Sequence, residues 1–190
     1  MVTKASGTDS FLSLVEQLDI DQHNPPVHTW HPEYCGEIDI RIHRNGTWSY
    51  HDSPIGRHRL VRLLSTVLRL DSDGEYYLVT PTEKLRVNVD DAPFVAIEME
   101  VHGSGEEQSL VFRTNVEDVV AAGIDHPIRI SENQETGEPS PYIMIRHGLE
   151  AIISRSVFYE LVNLAVQKKY DQEIVLGVWS RHIFFQLGLA

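Results

Sequence analysis

Short runs in which hydrophobic and polar positions alternate cover much of the chain. Ile38, Ile40 and Ile42 are separated by polar residues, which predicts a strand with one buried face. Asn45-Gly46 then predicts a tight turn into a return strand over residues 47–50, because both residue types tolerate a positive φ. The same patterns predict a second hairpin turn at His147-Gly148. They also predict strands over residues 76–79, 85–89, 94–101, 110–113, 128–130, 142–145, 149–153, 173–179 and 182–185.

Three segments have the period of an amphipathic helix instead. The first covers residues 11–18, and the third covers about residues 156–169. The second begins at Asp52-Ser53-Pro54, because a capping side chain followed by proline is typical of a first helical turn, and it ends at residues 71–74. Residues 22–36 contain three prolines, which predicts an extended arm between the first helix and the first hairpin.

The order of these elements repeats along the chain. The turns at Asn45-Gly46 and His147-Gly148 lie 102 positions apart, and the helices that follow them match at the same offset. The alternative is a coincidence between two generic hairpin–helix units. We therefore expect an α+β fold of duplicated hairpin–helix–hairpin units, with small antiparallel sheets each packed by one main helix. The expected domains are 1–35 (helix and arm), 36–92 (first repeat) and 93–190 (second repeat with extra strands).

Composition narrows the class of protein. The 190 residues carry a net charge of −12, which argues against a nucleic-acid or anionic-membrane partner. The apolar runs are too short to span a bilayer, and the first nine residues are too polar for a signal peptide. We expect a soluble, cytoplasmic protein.

The sequence offers little for metal or covalent chemistry. His28, His31 and Cys35 have a close spacing that suits zinc, but the segment contains prolines and no convincing fourth ligand. Cys35 is the single cysteine and has no nearby base. Phosphate-loop, zinc-protease and dinucleotide motifs are absent. We expect no metal, no cofactor and, on balance, no catalysis.

Positive charge is concentrated in one part of this acidic chain. Residues 41–69 contain six arginines and a single acid, Asp52. Arg59, Arg62 and Arg69 are expected on a solvated helix face. Arg57 falls in the first helical turn, where a cation opposes the helix dipole. Either it pairs with an acid such as Asp52, or it completes an anion pocket at the helix N-terminus.

Three ordered blocks resemble a family of bacterial proteins, the DUF1285 family of unknown function. The first block is GTWSYHDSPIGR at residues 46–57. The second comprises TPTEK at 80–84 and VDDAPF at 89–94, and the third comprises PYIMIRHGLEA at 141–151 and RSVFYEL at 155–161. The resemblance covers about residues 25–170. It implies a duplicated α+β core with a C-terminal half similar to pleckstrin-homology folds. It also suggests a nucleotide-like ligand at the domain interface and a role in signalling.

The charge pattern and the resemblance favour a ligand-binding or sensor module over an enzyme. We expect an anionic small molecule between the two repeats, held by Arg57, Arg146 and Arg155. His51 and Tyr159 are expected to add hydrogen bonds or stacking.

Two alternatives stay open at this point. One is a protein-interaction module whose arginine face docks an acidic partner. The other is a phosphate-ester hydrolase that uses His51 with Glu83 or Asp91.

Overall fold

A computed structural model of the chain describes residues 25–132, 137–170 and 173–189. The predicted helix over residues 11–18 lies outside the described residues. Residues 1–91 and 92–190 form two compact units, and each unit is described by itself below.

In its described residues, the first unit is one six-stranded sheet with one α-helix. The elements are β1 (Tyr34–Ile42), β2 (Trp48–Tyr50), β3 (Ser53–Pro54), α1 (His58–Thr66), β4 (Leu68–Leu70), β5 (Tyr76–Val79) and β6 (Lys84–Val89). The strand order is β3-β2-β1-β6-β5-β4. Neighbouring strands are antiparallel except β1 and β6, which are parallel. The expectation of purely antiparallel sheets is therefore wrong for this unit.

The core of the first unit follows the predicted alternation. Ile38, Ile40 and Ile42 are at most 2% exposed, while the residues between them point to the other face of the sheet. Leu64 of α1 is fully buried, and Val61 beside it is nearly so. Burial of one strand face against one helix stripe holds this unit together.

The helix of the first unit begins and ends elsewhere than predicted. His51 and Asp52 have φ values of 47° and 59° and form a two-residue turn between β2 and β3. Ser53 and Pro54 therefore form a strand, and α1 begins only at His58. Proline is tolerated there because β3 is the edge of the sheet. At the other end, residues 68–70 form β4 instead of continuing the helix.

The described residues of the second unit contain two sheets and one α-helix. The elements are β7 (Phe94–His102), β8 (Ser109–Thr114), β9 (Val119–Ala121), β10 (Ile128–Glu132), β11 (Pro139–Arg146), β12 (Leu149–Ile153), α2 (Arg155–Asn163), β13 (Val166–Tyr170), β14 (Glu173–Ser180) and β15 (Ile183–Leu189). The larger sheet has the order β10-β11-β12-β7-β8-β9, and the smaller has β13-β14-β15. Strands β7 and β12 are parallel, so this sheet is mixed as well. Helix α2 ends at Asn163, and residues 166–170, predicted as its last turns, pair with β14.

The two six-stranded sheets have the same strand order. Each sheet consists of two three-stranded meanders, and the first strand of the first meander lies beside the last strand of the second. These neighbours are β1 and β6 in one sheet and β7 and β12 in the other. The 102-residue offset, however, pairs β1–β2 with β11–β12. The central strand of the first hairpin is its leading strand, β1, whereas that of the second is its trailing strand, β12. The duplication and the likeness to pleckstrin-homology folds therefore stay predictions, while the mostly β structure, with two α-helices in the described part of the chain, supports the α+β class.

Buried polar side chains attach β14 to the larger sheet of the second unit. The Ser180 hydroxyl donates to the Ala122 carbonyl at 2.8 Å and accepts from the Leu110 N–H at 3.0 Å. The Gln108 amide donates to the Trp179 carbonyl at 2.8 Å. Within the described ranges, no helix has the length and apolar character needed to cross a membrane.

Candidate functional site

The N-terminus of α1 presents a cation where helices usually present an acid. Arg57 is the N-cap residue, with φ −88° and ψ 98°, and no side chain caps the first N–H groups. The first turn contains no acidic residue. Arg57 is exposed, and it precedes the first helical turn in which the sequence places it. Among the described residues, its guanidinium makes no ion pair, so the expected partner Asp52 is not bound.

The arginines of the helix starts lack the carboxylate partner that most other arginines of the described residues have. Arg57, Arg59 and Arg155 have no carboxylate partner within the part of the chain that the structure describes. Seven other arginines each pair with a carboxylate: Arg41, Arg44, Arg69, Arg86, Arg113, Arg129 and Arg146. The helix N-terminus itself favours an anion, so an exposed cation beside it leaves the local positive charge uncompensated.

The N-terminus of α2 is similar in charge but differs in capping. Ser154 is the N-cap residue, and its hydroxyl accepts from the Val157 N–H at 3.5 Å. Arg155 follows and is exposed, and the first turn again lacks an acid. Tyr159 is 60% exposed one turn later. Because α2 already has a capping hydroxyl, α1 offers the freer backbone donors.

Arg146 is held inside the second unit. Its side chain is only 14% exposed, and its Nη1 donates to the Asp118 carboxylate. The guanidinium also lies 4.9 Å from the centroid of the Phe94 ring. Its charge is thus matched locally by Asp118, a partner that sequence patterns did not reveal.

His51 is also engaged by a partner that the sequence did not indicate. Its Nδ1 lies 2.8 Å from Oδ2 of Asp39, and its ring lies 4.2 Å from that of Tyr50. The turn conformation at His51 directs this contact across the β1–β2 hairpin. No hydrogen bond or ion pair joins His51 to Arg57 in the described ranges, so the structure does not combine these two predicted site residues.

A serine, a histidine and an aspartate contact one another in a row on the outer face of the first sheet. His43 Nε2 is 3.0 Å from the Ser49 hydroxyl, and its Nδ1 is 3.4 Å from Oδ2 of Asp90. Ser49 is only 3% exposed, however, so its hydroxyl is closed to a substrate. Asp91, proposed for the hydrolase alternative, pairs with Arg44 at 3.1 Å. These contacts orient the charges of the sheet surface and do not form an accessible nucleophile.

Arg69 binds the arm to the sheet of the first unit, although the sequence predicts it on a solvated helix face. Instead of facing solvent, its Nη1 donates to the carbonyls of Val27 and Trp30, both at 2.8 Å. Its other nitrogens bind the Asp71 carboxylate, which Lys84 also contacts at 2.5 Å. Burial alone would raise the pKa of the Asp71 carboxyl, but the hydrogen bonds from both cations outweigh it and lower that pKa below its usual value.

Two of the three candidate zinc ligands of the arm, His31 and Cys35, make separate local contacts. His31 Nδ1 lies 2.9 Å from the Thr29 carbonyl, and the Cys35 thiol donates to the Glu33 carbonyl at 3.3 Å. Across residues 25–132, 137–170 and 173–189, no group of three or more His, Cys, Asp or Glu side chains is arranged to hold a metal ion.

These features define a protein of two mostly β units, and the described residues of each include one α-helix that starts at an exposed arginine. The chain belongs to the DUF1285 family. Residues 25–92 match the N-terminal domain of unknown function of that family, and residues 93–187 match its C-terminal domain. The family that the three sequence blocks indicated is thereby confirmed.

Solved structures of two family members resemble this chain. A DUF1285 family protein from Silicibacter pomeroyi DSS-3 is 43% identical, with 94% of each chain covered and a TM-score of 0.86. A second, from Shewanella baltica OS155, is 25% identical, with 66% of this chain and 91% of that chain covered and a TM-score of 0.52. No curated protein matches the chain.

Proposed function

We propose that this protein is a binding module for a small anionic ligand and that the start of α1 holds the ligand's phosphate or carboxylate group. The observation that carries the proposal is the exposed Arg57 guanidinium at an uncapped helix N-terminus with no acid in the first turn. A chain with a net charge of −12 has many carboxylates available, and this position has none.

The local chemistry suits an oxyanion. The first backbone N–H groups of a helix point outward and carry partial positive charge, and the planar guanidinium adds two parallel donors. Arg59, one residue into the helix, adds a second exposed cation. An added Cβ at Gly56 would meet no atom within 4 Å, so the approach to the helix start is open.

The start of α2 provides a second, weaker candidate of the same kind. Arg155 and Tyr159 are both exposed, and neither has a polar partner in the described part of the chain. Ser154 already caps this helix, so an anion gains fewer backbone hydrogen bonds here than at α1. The charge of Arg146, by contrast, is already matched by Asp118.

The test is calorimetric titration of inorganic phosphate and a panel of nucleotides into wild type and an Arg57→Gln variant. We expect binding by wild type and a loss of about 10- to 150-fold in affinity on substitution, the scale of one charge-assisted hydrogen bond. Arg57→Lys should recover only part of the loss, because lysine keeps the charge without the planar fork. Free-protein stability should change little, since Arg57 binds no described side chain.

Arg44→Gln is the matched control, because it removes the same charge from an exposed arginine of the first unit that is paired with Asp91. An equal loss of affinity in both variants reduces the effect to general electrostatics. No binding by wild type contradicts the proposal.

An acidic protein partner is the second candidate. Arg57 and Arg59 present adjacent exposed cations on α1 that a carboxylate-rich surface would complement. Titrations with inorganic phosphate and with an acidic peptide distinguish a small-anion site from a protein-interaction surface. A ligand pocket binds the small anion by itself, whereas an interaction surface binds only the longer, multivalent peptide.

A further inference from the structure

A polar groove lies on the first unit, away from the start of α1. Its volume is about 460 Å³, which is in the range of pockets for small molecules. Its walls come from β1, β5, β6 and the turn before β5, and the residues that matter chemically are Arg41, Glu75, Asn88 and Asp90.

Two neighbouring side chains in this groove, Arg41 and Asn88, have hydrogen-bond donors without a partner among the described residues. Arg41 and Asn88 face each other across the parallel pair β1–β6. Arg41 uses Nε to bind Oδ1 of Asp90 at 2.7 Å, and its two Nη groups have no partner among the described residues. The Asn88 amide likewise has no partner there. A guanidinium fork beside an amide N–H₂ is a donor set suited to a carboxylate.

A carboxylate that can accept further hydrogen bonds lines the same groove. Glu75 is half exposed, and its nearest cation is Nη1 of Arg86, at the long distance of 3.8 Å. Its other oxygen has no partner in the described part of the chain. Because Asp90 is already matched by Arg41 and His43, Glu75 is the acceptor available to a cation.

We propose that this groove binds a small zwitterion of amino-acid size. The ligand's carboxylate binds the Nη groups of Arg41 and the amide of Asn88, and its ammonium group binds Glu75. This two-point recognition is independent of the anion site at α1, because it uses different residues and requires a positive group on the ligand.

The experiment is a calorimetric titration of each standard α-amino acid into the wild-type protein. The strongest binder is then compared with its N-acetyl derivative and its methyl ester, which remove the positive and the negative charge in turn. We expect each derivative to bind at least about 10-fold more weakly, the scale of a lost charged hydrogen bond. Failure of every amino acid to bind overturns the proposal, and so does equal binding of either derivative.

Variants then locate the site. Arg41→Gln should lower the affinity for the amino acid about 10-fold or more and leave the affinity for the methyl ester unchanged. Glu75→Gln should also lower the affinity for the amino acid, and it should leave the affinity for the N-acetyl derivative unchanged. Arg44→Gln is the control, since it removes an exposed arginine of the same hairpin that does not line the groove. Equal effects of Arg41→Gln and Arg44→Gln would contradict the assignment.

Discussion

Replacing Ser180 with alanine removes a hydroxyl that bridges two strands inside the second unit. The hydroxyl lies between the Leu110 N–H of β8 and the carbonyl of Ala122, just after β9, at 3.0 and 2.8 Å. The Ala122 N–H bonds the Leu110 carbonyl directly at 2.8 Å, so only one of the two backbone links depends on the serine. All three residues are fully buried, which keeps water from replacing the hydroxyl.

The expected cost follows from the two backbone groups that lose their partner. Each unsatisfied buried group costs about 1–3 kcal/mol, so Ser180→Ala should lower the free energy of unfolding by about 2–6 kcal/mol. For a chain of this length the corresponding loss is roughly 4–24 °C in Tm.

Urea denaturation of wild type and Ser180→Ala measures this effect. Ser131→Ala is the control, because Ser131 is exposed and its side chain makes no hydrogen bond with a described residue. It should unfold within about 0.5 kcal/mol of wild type. A similarly small loss for Ser180→Ala, with an unchanged m-value, would mean that the strands close and bond directly, and the reasoning would be wrong.

Two further predictions concern packing and charge. Gly177→Ala should destabilise the protein by about 1–3 kcal/mol in the same assay, because the new Cβ would lie 2.5 Å from the Phe185 carbonyl, and an unchanged midpoint would refute the clash. The lowered pKa of Asp71 stabilises the fold above the unfolded-state pKa of about 3.9, and this contribution disappears as the pH falls through the lower, folded-state pKa. Asp71→Asn should therefore lose less stability than wild type between pH 6 and pH 3, whereas equal losses would show that the bonds from Arg69 and Lys84 do not favour the charged carboxyl.

Local patterns predicted the strands well because they depend on neighbouring residues. The alternation at Ile38–Ile42 and the turn signal at Asn45-Gly46 correspond to β1 and the turn into β2. Only Gly46 has a positive φ there, so the turn does not use both positions as expected. At His147-Gly148 both residues do, with φ values of 44° and 82°.

The errors come from interactions that are distant in sequence. Pro54 looks like a helix start, but pairing with β2 makes it an edge strand. Residues 166–170 fit a helical period, but β14 draws them into a sheet. The parallel pair β1–β6 joins Arg41 to Asn88 across 47 positions, and no local pattern identifies such a partner.

The candidate site, like the fold, was predictable only where it depends on local sequence. The charge excess at Arg57 was visible in the sequence, because it depends only on composition and helix position. The contacts of Arg146 were not visible, because its partner Asp118 lies just before β9 and the Phe94 ring comes from β7. Asp39 was missed as the partner of His51 for the same reason.

The central claim is that an anion binds the start of α1, and an NMR titration of the ¹⁵N-labelled protein with inorganic phosphate tests it most directly. The account predicts saturable, parallel shifts of the backbone amide signals of residues 58–60 and of the Arg57 Nε–H signal, and their loss in Arg57→Gln. Saturable shifts confined to other regions, or no saturable shift at any concentration, would contradict it.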